Sequence, residues 1–533
     1  MTTLFTGRIR PLAEGSPVDR TAEAILVDDD GRITALGAAD ELAARAPRAR
    51  REELDGWVVP GLIEPHGHPG TAAVLLSDRV VDLRPVVVPD ADGVMAALRA
   101  ALAAATGPVY ANGWDALLQR GLPDPDRRLL DELAGETPLV IVHNSGHSAY
   151  FNSAAARVAG IDRSTPDPAG ASFERDADGD LSGVAVEARA VEAIVGPLLH
   201  AAQADIGALL GAHLADLSRR GYTTVSDLSW NPALNPVLDA LRAADRMPLR
   251  LRWYEMSRPG GEPLPRGTGD EISRQVGVKT WSDGSPWIGN IATSFPYLDT
   301  PATRALGLEP GHRGAANYTA EELLAIADPY AAAGWQLACH AHGDLAIGET
   351  LDVYAQLIRR HGLRDHRFRL EHVGAMTPAQ FARAAELGVT VSLFVDHITY
   401  WGEVLVDDLF GAEHGGPWAD AGAAFAAGHR ATFHNDGWVT PNEPFRNMAV
   451  AETRRTRSGR TMPGGTPAAR ADTLRAHTAN AAWQLFSEHE VGALSPGLFA
   501  DFAVLDRDPV AVPAEELAAT EVLATYLAGR RVS

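Results

Sequence analysis

Eight short apolar runs set the architecture this chain can adopt. They lie at residues 57–63, 222–228, 249–255, 276–281, 335–340, 367–372, 389–394 and 429–434. Most are followed by a helical segment rich in Ala, Leu and Arg, such as EELLAIADPYAAAG and TPAQFARAAELG. Strands that alternate with helices pair in parallel, with the helices packed outside the sheet. Eight such units predict an α/β fold, a (β/α)8 TIM barrel, which needs roughly 250 residues. The period breaks between the first two runs, where about 150 residues intervene. That is too long for one crossover, so about 80–205 read as an insertion after strand one. The Gly- and Pro-rich stretch about 282–318 follows strand four and reads as a loop over the barrel mouth.

The two ends of the chain share a different pattern. AEAILVDDDGRITALG and REELDGWVVPG alternate apolar and polar residues around Asp-Gly turns, and GALSPGLFADFAVLD does the same near the C-terminus. Residues 1–60 and 485–533 therefore read as one small β-sandwich domain built from both termini. Residues 61–484 are left for the barrel and its insertion.

Composition excludes several function classes. The 533 residues carry 47 basic and 69 acidic side chains, a net charge of -22. Nucleic-acid binders need a basic face, so nucleic acid is not an expected partner, and neither is an anionic membrane surface. No run reaches the ~18 apolar residues of a membrane span. The N-terminal MTTLFTGRIRPL has no apolar signal-peptide core, so a cytoplasmic protein is expected. The single cysteine, Cys339, excludes an intrachain disulfide and a Cys-rich metal site. A small-molecule substrate is the expected partner, with a homodimer as the candidate assembly. No residue pattern points to an organic cofactor.

Histidines and acids fall at the C-terminal ends of the predicted strands, where a closed barrel gathers its catalytic groups. His66 and His68 end strand one, and their period-two spacing puts both side chains on one face. Lys279 lies in strand four, His340 ends strand five, His372 ends strand six and Asp436 follows strand eight. Each alone is ordinary: a His-X-His occurs on many strands, a lysine pairs with acids, an aspartate caps helices. It is their order on successive strand ends that marks a metal site. Imidazole and carboxylate donors suit zinc, with Mn, Fe or Ni as alternatives, as one or two ions.

Lys279 is the single lysine among the 47 basic residues. A neutral lysine amine adds carbon dioxide to form a carbamate, whose two oxygens bridge two metals. Arginine stays protonated and cannot. A carbamylated Lys279 as bridging ligand is therefore expected.

This order resembles the amidohydrolase superfamily, and within it the family 3 branch that holds N-substituted formamide deformylase-like proteins. VVPGLIEPHGH is similar to the branch's first-strand metal motif and GVKTWSDGS to its lysine-bearing fourth strand. WQLACHAHGDLAIGETLDVY and HRFRLEHVGAMTP are similar to strands five and six, and GHSAYFNSAAARVAGI to the branch insertion. The chain departs at Asn435-Asp436, where the branch has Ser-Asp, in PWIGNIATSFPYLD after strand four, and in PHGHPG. The resemblance implies a metal-dependent amidohydrolase, acting on a carbon–nitrogen bond other than a peptide bond, of amide or N-substituted formamide type. Metal-activated water would be the nucleophile and Asp436 the general base and then acid. His147 and His397 are candidate donors to the oxyanion. Asp344 either orients a ligand histidine or caps a helix. Trp114, Trp281, Trp287, Tyr297, Trp401, Trp418 and Trp438 are expected around the mouth, suiting a partly hydrophobic substrate. Two alternatives stay open: a deaminase or cyclic-amide ring opener on the same fold, and a non-catalytic metal-binding barrel.

Overall fold

Gly61 divides two sheets. The computed structural model describes residues 2–13, 15–199, 205–263, 265–266 and 269–533. Before Gly61, strands β1 (Thr3–Ile9), β2 (Ala22–Val27), β3 (Ile33–Gly37) and β4 (Arg50–Pro60) belong to one sheet. After it, β5 (Leu62–Gly67) opens another. A Cβ at Gly61 would lie 2.0 Å from Thr223 Oγ1, so only glycine lets the chain pass this closely. The predicted first barrel strand, 57–63, thus straddles the junction: its residues up to Pro60 belong to β4, with Trp57 and Val58 paired to β1, and the barrel strand starts at Leu62. Both pieces are apolar, and periodicity alone cannot see the break.

The long span between β5 and the next barrel strand folds as a six-stranded sheet. Its strands are β6 (Val81–Asp82), β7 (Val109–Trp114), β8 (Leu139–His143), β9 (Ser148–Phe151), β10 (Ser172–Arg175) and β11 (Leu181–Val186). They lie in the order β10-β11-β9-β8-β7-β6. Helices Ala91–Ala104 and Arg127–Ala134 start at Asp90 and Asp126, whose carboxylates accept the N–H groups of Gly93 and Leu129 at 2.9 and 2.8 Å. Leu98, Trp114, Leu130 and Ile141 fill one core beside this sheet; Phe151, Phe173 and Ile194 fill another.

The barrel continues with β12 (Tyr222–Trp230), β13 (Arg250–Met256), β14 (Ser273–Trp281), β15 (Gln336–Ala341), β16 (Arg369–His372), β17 (Thr390–Leu393) and β18 (Thr432–Phe433). From β5 through β12 to β18 every neighbour is parallel. The seam between β18 and β5 is bridged by the Asn435 N–H to Glu64 Oε1 at 3.4 Å. Both quoted helical segments are helices, Ala320–Ala332 and Pro378–Glu386. Each is started by a reciprocal cap, Thr319 with Glu322 and Thr377 with Gln380. The last predicted strand, 429–434, contracts to two residues because the chain bends away at once toward Asp436. The stretch 282–318 is tied at its base by the Asn317 N–H to the Ser282 carbonyl at 2.7 Å. It buries Ile291, Phe295 and Tyr297 in the barrel's outer core.

Strands β19 (Phe502–Leu505), β20 (Val522–Leu527) and β21 (Arg530–Arg531) return to the first sheet, in the order β21-β20-β19-β4-β1-β2-β3. Arg250 of β13 meets Asp501 at 2.7 and 3.0 Å, and both side chains are buried. Removing one partner of such a pair costs about 3–5 kcal/mol, which locks the barrel to this sheet. Among the described residues no helix is long and apolar enough to cross a membrane.

Candidate active site

The C-terminal ends of β5, β14, β15 and β16 and the bend after β18 converge. His66 Nδ1–H donates to Glu371 Oε2 at 2.6 Å. Burial works against the Glu371 charge, but Arg369 and His66 beside it hold the carboxyl well below the usual carboxylate range. An ionised carboxylate only accepts, so the His66 proton sits on Nδ1 and Nε2 carries a lone pair. That Nε2 lies 3.2 Å from Lys279 Nζ and 3.3 Å from Asp436 Oδ1. His68 is held through Nδ1 by Ser229 Oγ at 2.7 Å, and its Nε2 is 3.0 Å from Asp436 Oδ1.

Asp436 Oδ1 is nevertheless buried without a hydrogen bond of good geometry. That oxygen and the two Nε2 atoms beside it, at 3.3 and 3.0 Å, form a group of three ligand atoms. All three lie within 4.8 Å of one another. Oriented imidazoles around an acceptor-only carboxylate fit a divalent cation. Burial raises the Asp436 carboxyl, but the opposed His66 and His68 outweigh it and hold it well below its ordinary value.

His340 and His372 face this group from β15 and β16, their rings 4.5 Å apart. His340 Nε2–H donates to the Gly284 carbonyl at 2.8 Å, leaving Nδ1 bare. Burial drives both imidazoles far below the usual histidine value, so they are neutral donors. Burial also lowers the Lys279 ammonium to about 8, against the opposing pull of Glu371 and Asp436. A minority of the amine, about a fifth, is then neutral at physiological pH, far more than for a free lysine. The backbone here is strained: His372, Val373 and Asp436 have φ of +69°, +47° and +60°. A β-branched residue in this region is an outlier, and such strain gathers at functional sites.

A sequence profile of the amidohydrolase family matches residues 55–533. The chain belongs to this family. It is 28% identical over 526 residues to an N-substituted formamide deformylase of Arthrobacter pascens, covering 95% of this chain and 94% of that protein. It is also 28% identical to the protein LONG AFTER FAR-RED 3 of Arabidopsis thaliana, covering 94% and 87%. In fold it is similar to an uncharacterized metal-dependent hydrolase from Pyrococcus horikoshii OT3, with a TM-score of 0.74 at 20% identity, covering 96% and 99%. In this family member, buried histidine and aspartate groups are suited to a metal.

The amidohydrolase site opens into a cavity of about 560 Å3. His68, Lys279, His340, His372 and Asp436 form its floor, and Trp230, Trp281, Trp438 and Val195 are among its walls. His147 lines it from the insertion, its ring 4.7 Å from His340. Its Nδ1–H donates to Glu187 Oε2 at 3.0 Å, so Nε2 is free for the cavity. Glu187 is gripped by Asn290 at 2.7 Å and Asn317 at 3.2 Å, both from the stretch 282–318.

Several sequence expectations resolve differently. His397 does not line the cavity. It stacks behind His342 at 5.3 Å, with Trp287 at its edge and the Trp418 N–H donating to its Nδ1 at 3.3 Å; burial lowers it to about 3. Of the seven aromatics expected at the mouth, Trp281 and Trp438 line the cavity. Trp114, Trp287, Tyr297, Trp401 and Trp418 are buried in cores, because the long loops need cores of their own. Asp344 neither caps its helix nor meets a ligand histidine. It accepts the Ser294 N–H at 2.8 Å and hydroxyl at 2.5 Å, pinning the stretch 282–318.

Four residues at the amidohydrolase site were not foreseen: His342, His434, Glu187 and Glu371. His342 follows His340 by two positions and His434 precedes Asp436 by two, the same period that singled out His66 and His68. Nothing local distinguishes Glu187 and Glu371 among 69 acidic residues.

Proposed function

We propose that this amidohydrolase cleaves the C–N bond of an open-chain amide or N-substituted formamide in a small, partly hydrophobic molecule. The observation that carries the reading is the placement of Asp436. Its orphaned Oδ1 faces the His66 and His68 nitrogens on the floor of a cavity with tryptophan walls.

His66, His68, Lys279 and Asp436 would hold one ion, and His340, His372 and Lys279 a second. Zinc suits these donors best, with carbamylated Lys279 as the bridge. The metal supplies acidity to water and polarises the carbonyl. Asp436 stays ionised beside the imidazoles, so it can take the proton from water and return it to the departing nitrogen as the C–N bond breaks. His147, fixed by Glu187, presents Nε2 to the carbonyl oxygen. The indoles of Trp281 and Trp438 take the apolar substituent.

A deaminase needs no bridging lysine, so Lys279, buried beside His66, weighs against that alternative. The test offers zinc-reconstituted protein three substrate classes: N-arylalkyl formamides and acyl amides, cyclic amides, and amino-heterocycles. Release of acid and free amine from the open-chain class is expected. Turnover confined to ring opening or to ammonia release would replace this reading.

A further inference from the structure

We infer that His342 is a third imidazole ligand of the second ion, completing with His340 and His372 a three-histidine pocket. The inference rests on the metal-hydrolase reading above and adds a residue to that site.

His342 follows β15 and is 4% exposed. Its Nδ1 is buried without a hydrogen-bond partner. A donor-acceptor ring in a packed interior is normally satisfied, so an orphaned nitrogen asks for a partner of another kind. The rings of His340 and His372 are the nearest: 5.0 Å away edge-on and 4.8 Å away nearly parallel. One nitrogen from each of the three comes within 4.8 Å of the others.

The hydrogen bonds around the group leave lone pairs on its inside. His340 spends Nε2–H on the Gly284 carbonyl, which frees Nδ1. His372 Nδ1 is 3.0 Å from His434 Nε2, and His434 Nδ1 is 2.8 Å from Ser392 Oγ. Protons on both Nδ1 atoms satisfy this relay from His372 through His434 to Ser392 and free His372 Nε2. With the His342 proton on Nε2, one unprotonated nitrogen from each of the three rings then lies within 4.8 Å of the others. That arrangement is repulsive alone and favourable around a cation.

The competing role for His342 is an aromatic spacer, since it also stacks on His397. A phenylalanine would fill that stack without burying an unpaired nitrogen. An all-imidazole set selects Zn, Co or Ni over Mn or Mg.

The test is metal stoichiometry of chelator-stripped protein titrated with zinc, for wild type, His342→Phe, His342→Ala and His68→Ala. Wild type should take two equivalents. Both His342 variants should keep the first at wild-type affinity and weaken the second by 10-fold or more, and His68→Ala should lose the other ion instead. Phe preserves the stack, so a folding defect confined to Ala does not decide the outcome. Two equivalents at unchanged affinity in His342→Phe overturn the inference, as does a single ion indifferent to it. Anomalous diffraction at the zinc edge from wild-type crystals gives an independent answer. A peak about 2.0–2.1 Å from His342 Nδ1 supports the site, and one beyond coordination distance overturns it. Wild-type protein that binds no metal would instead sink the hydrolase reading itself.

Discussion

His66 of β5 and Glu371 of β16 are joined by a 2.6 Å hydrogen bond across 305 residues of sequence. This bond sets the tautomer of His66 and aims its Nε2 at Asp436. Glu371→Gln should therefore weaken metal binding about 10–100-fold, as loss of a carboxylate behind a ligand histidine does. Competition with a chelating dye measures it. The pH dependence follows from the depressed carboxyl. Its contribution is complete above the unfolded value near 4.5 and is lost as pH falls below that toward the lower folded value. Acid unfolding of wild type should begin in that range, and Glu371→Gln should flatten it.

Asp436→Asn should separate binding from chemistry. The amide keeps an oxygen toward His66 and His68 but cannot take a proton. Metal content should stay within about two-fold of wild type while kcat falls by about 10²–10⁴. Elemental analysis beside steady-state kinetics checks both, and unchanged kcat would remove Asp436 from proton transfer.

Lys279→Arg should be as damaging as Lys279→Ala. The buried guanidinium stays cationic, cannot form a carbamate and faces the ions. Acetate or formate should partly restore Lys279→Ala by occupying the emptied position. Near-normal metal content and activity in the Arg variant would show that positive charge alone is what this position supplies.

His147 should titrate above the ordinary histidine value of 6.5. Burial lowers it, but the charge and hydrogen bond of Glu187 outweigh that. A raised folded value means the pair's stabilisation is complete below 6.5 and disappears as pH rises through the folded value. Glu187→Gln should drop the His147 titration seen by NMR and reduce kcat without loss of metal. An unchanged titration would dissolve the pair.

Trp438 stands 5.4 Å from His68 and is propped by Gly146, where a Cβ would come 2.9 Å from its ring. Gly146 also has φ +74°, so alanine there is strained as well as crowded. Trp438→Ala should raise KM for aryl-substituted substrates about 10-fold or more while leaving metal content intact. Equal KM for aryl and methyl substrates in wild type would remove the indole from recognition.

The sequence by itself determined the fold class and the hydrolase family. Strand and helix periods, caps and turns act within a few residues, and an alternating order admits few topologies. His66, His68, Lys279, His340, His372 and Asp436 stood out because barrel strands deliver their ends to one rim, so order along the chain becomes proximity in space. The junction at Gly61 was invisible, since apolar residues on either side look alike until each finds its sheet. His397 was misplaced because a strand-end position states where a residue starts and not which way the following helix turns it. Only the tertiary structure chose Glu371 for His66, Glu187 for His147 and the buried ring of His342 beside His340. Those contacts depend on side-chain directions across elements far apart in sequence, and burial, which strips water from a histidine or a carboxylate, exists only once those elements have packed.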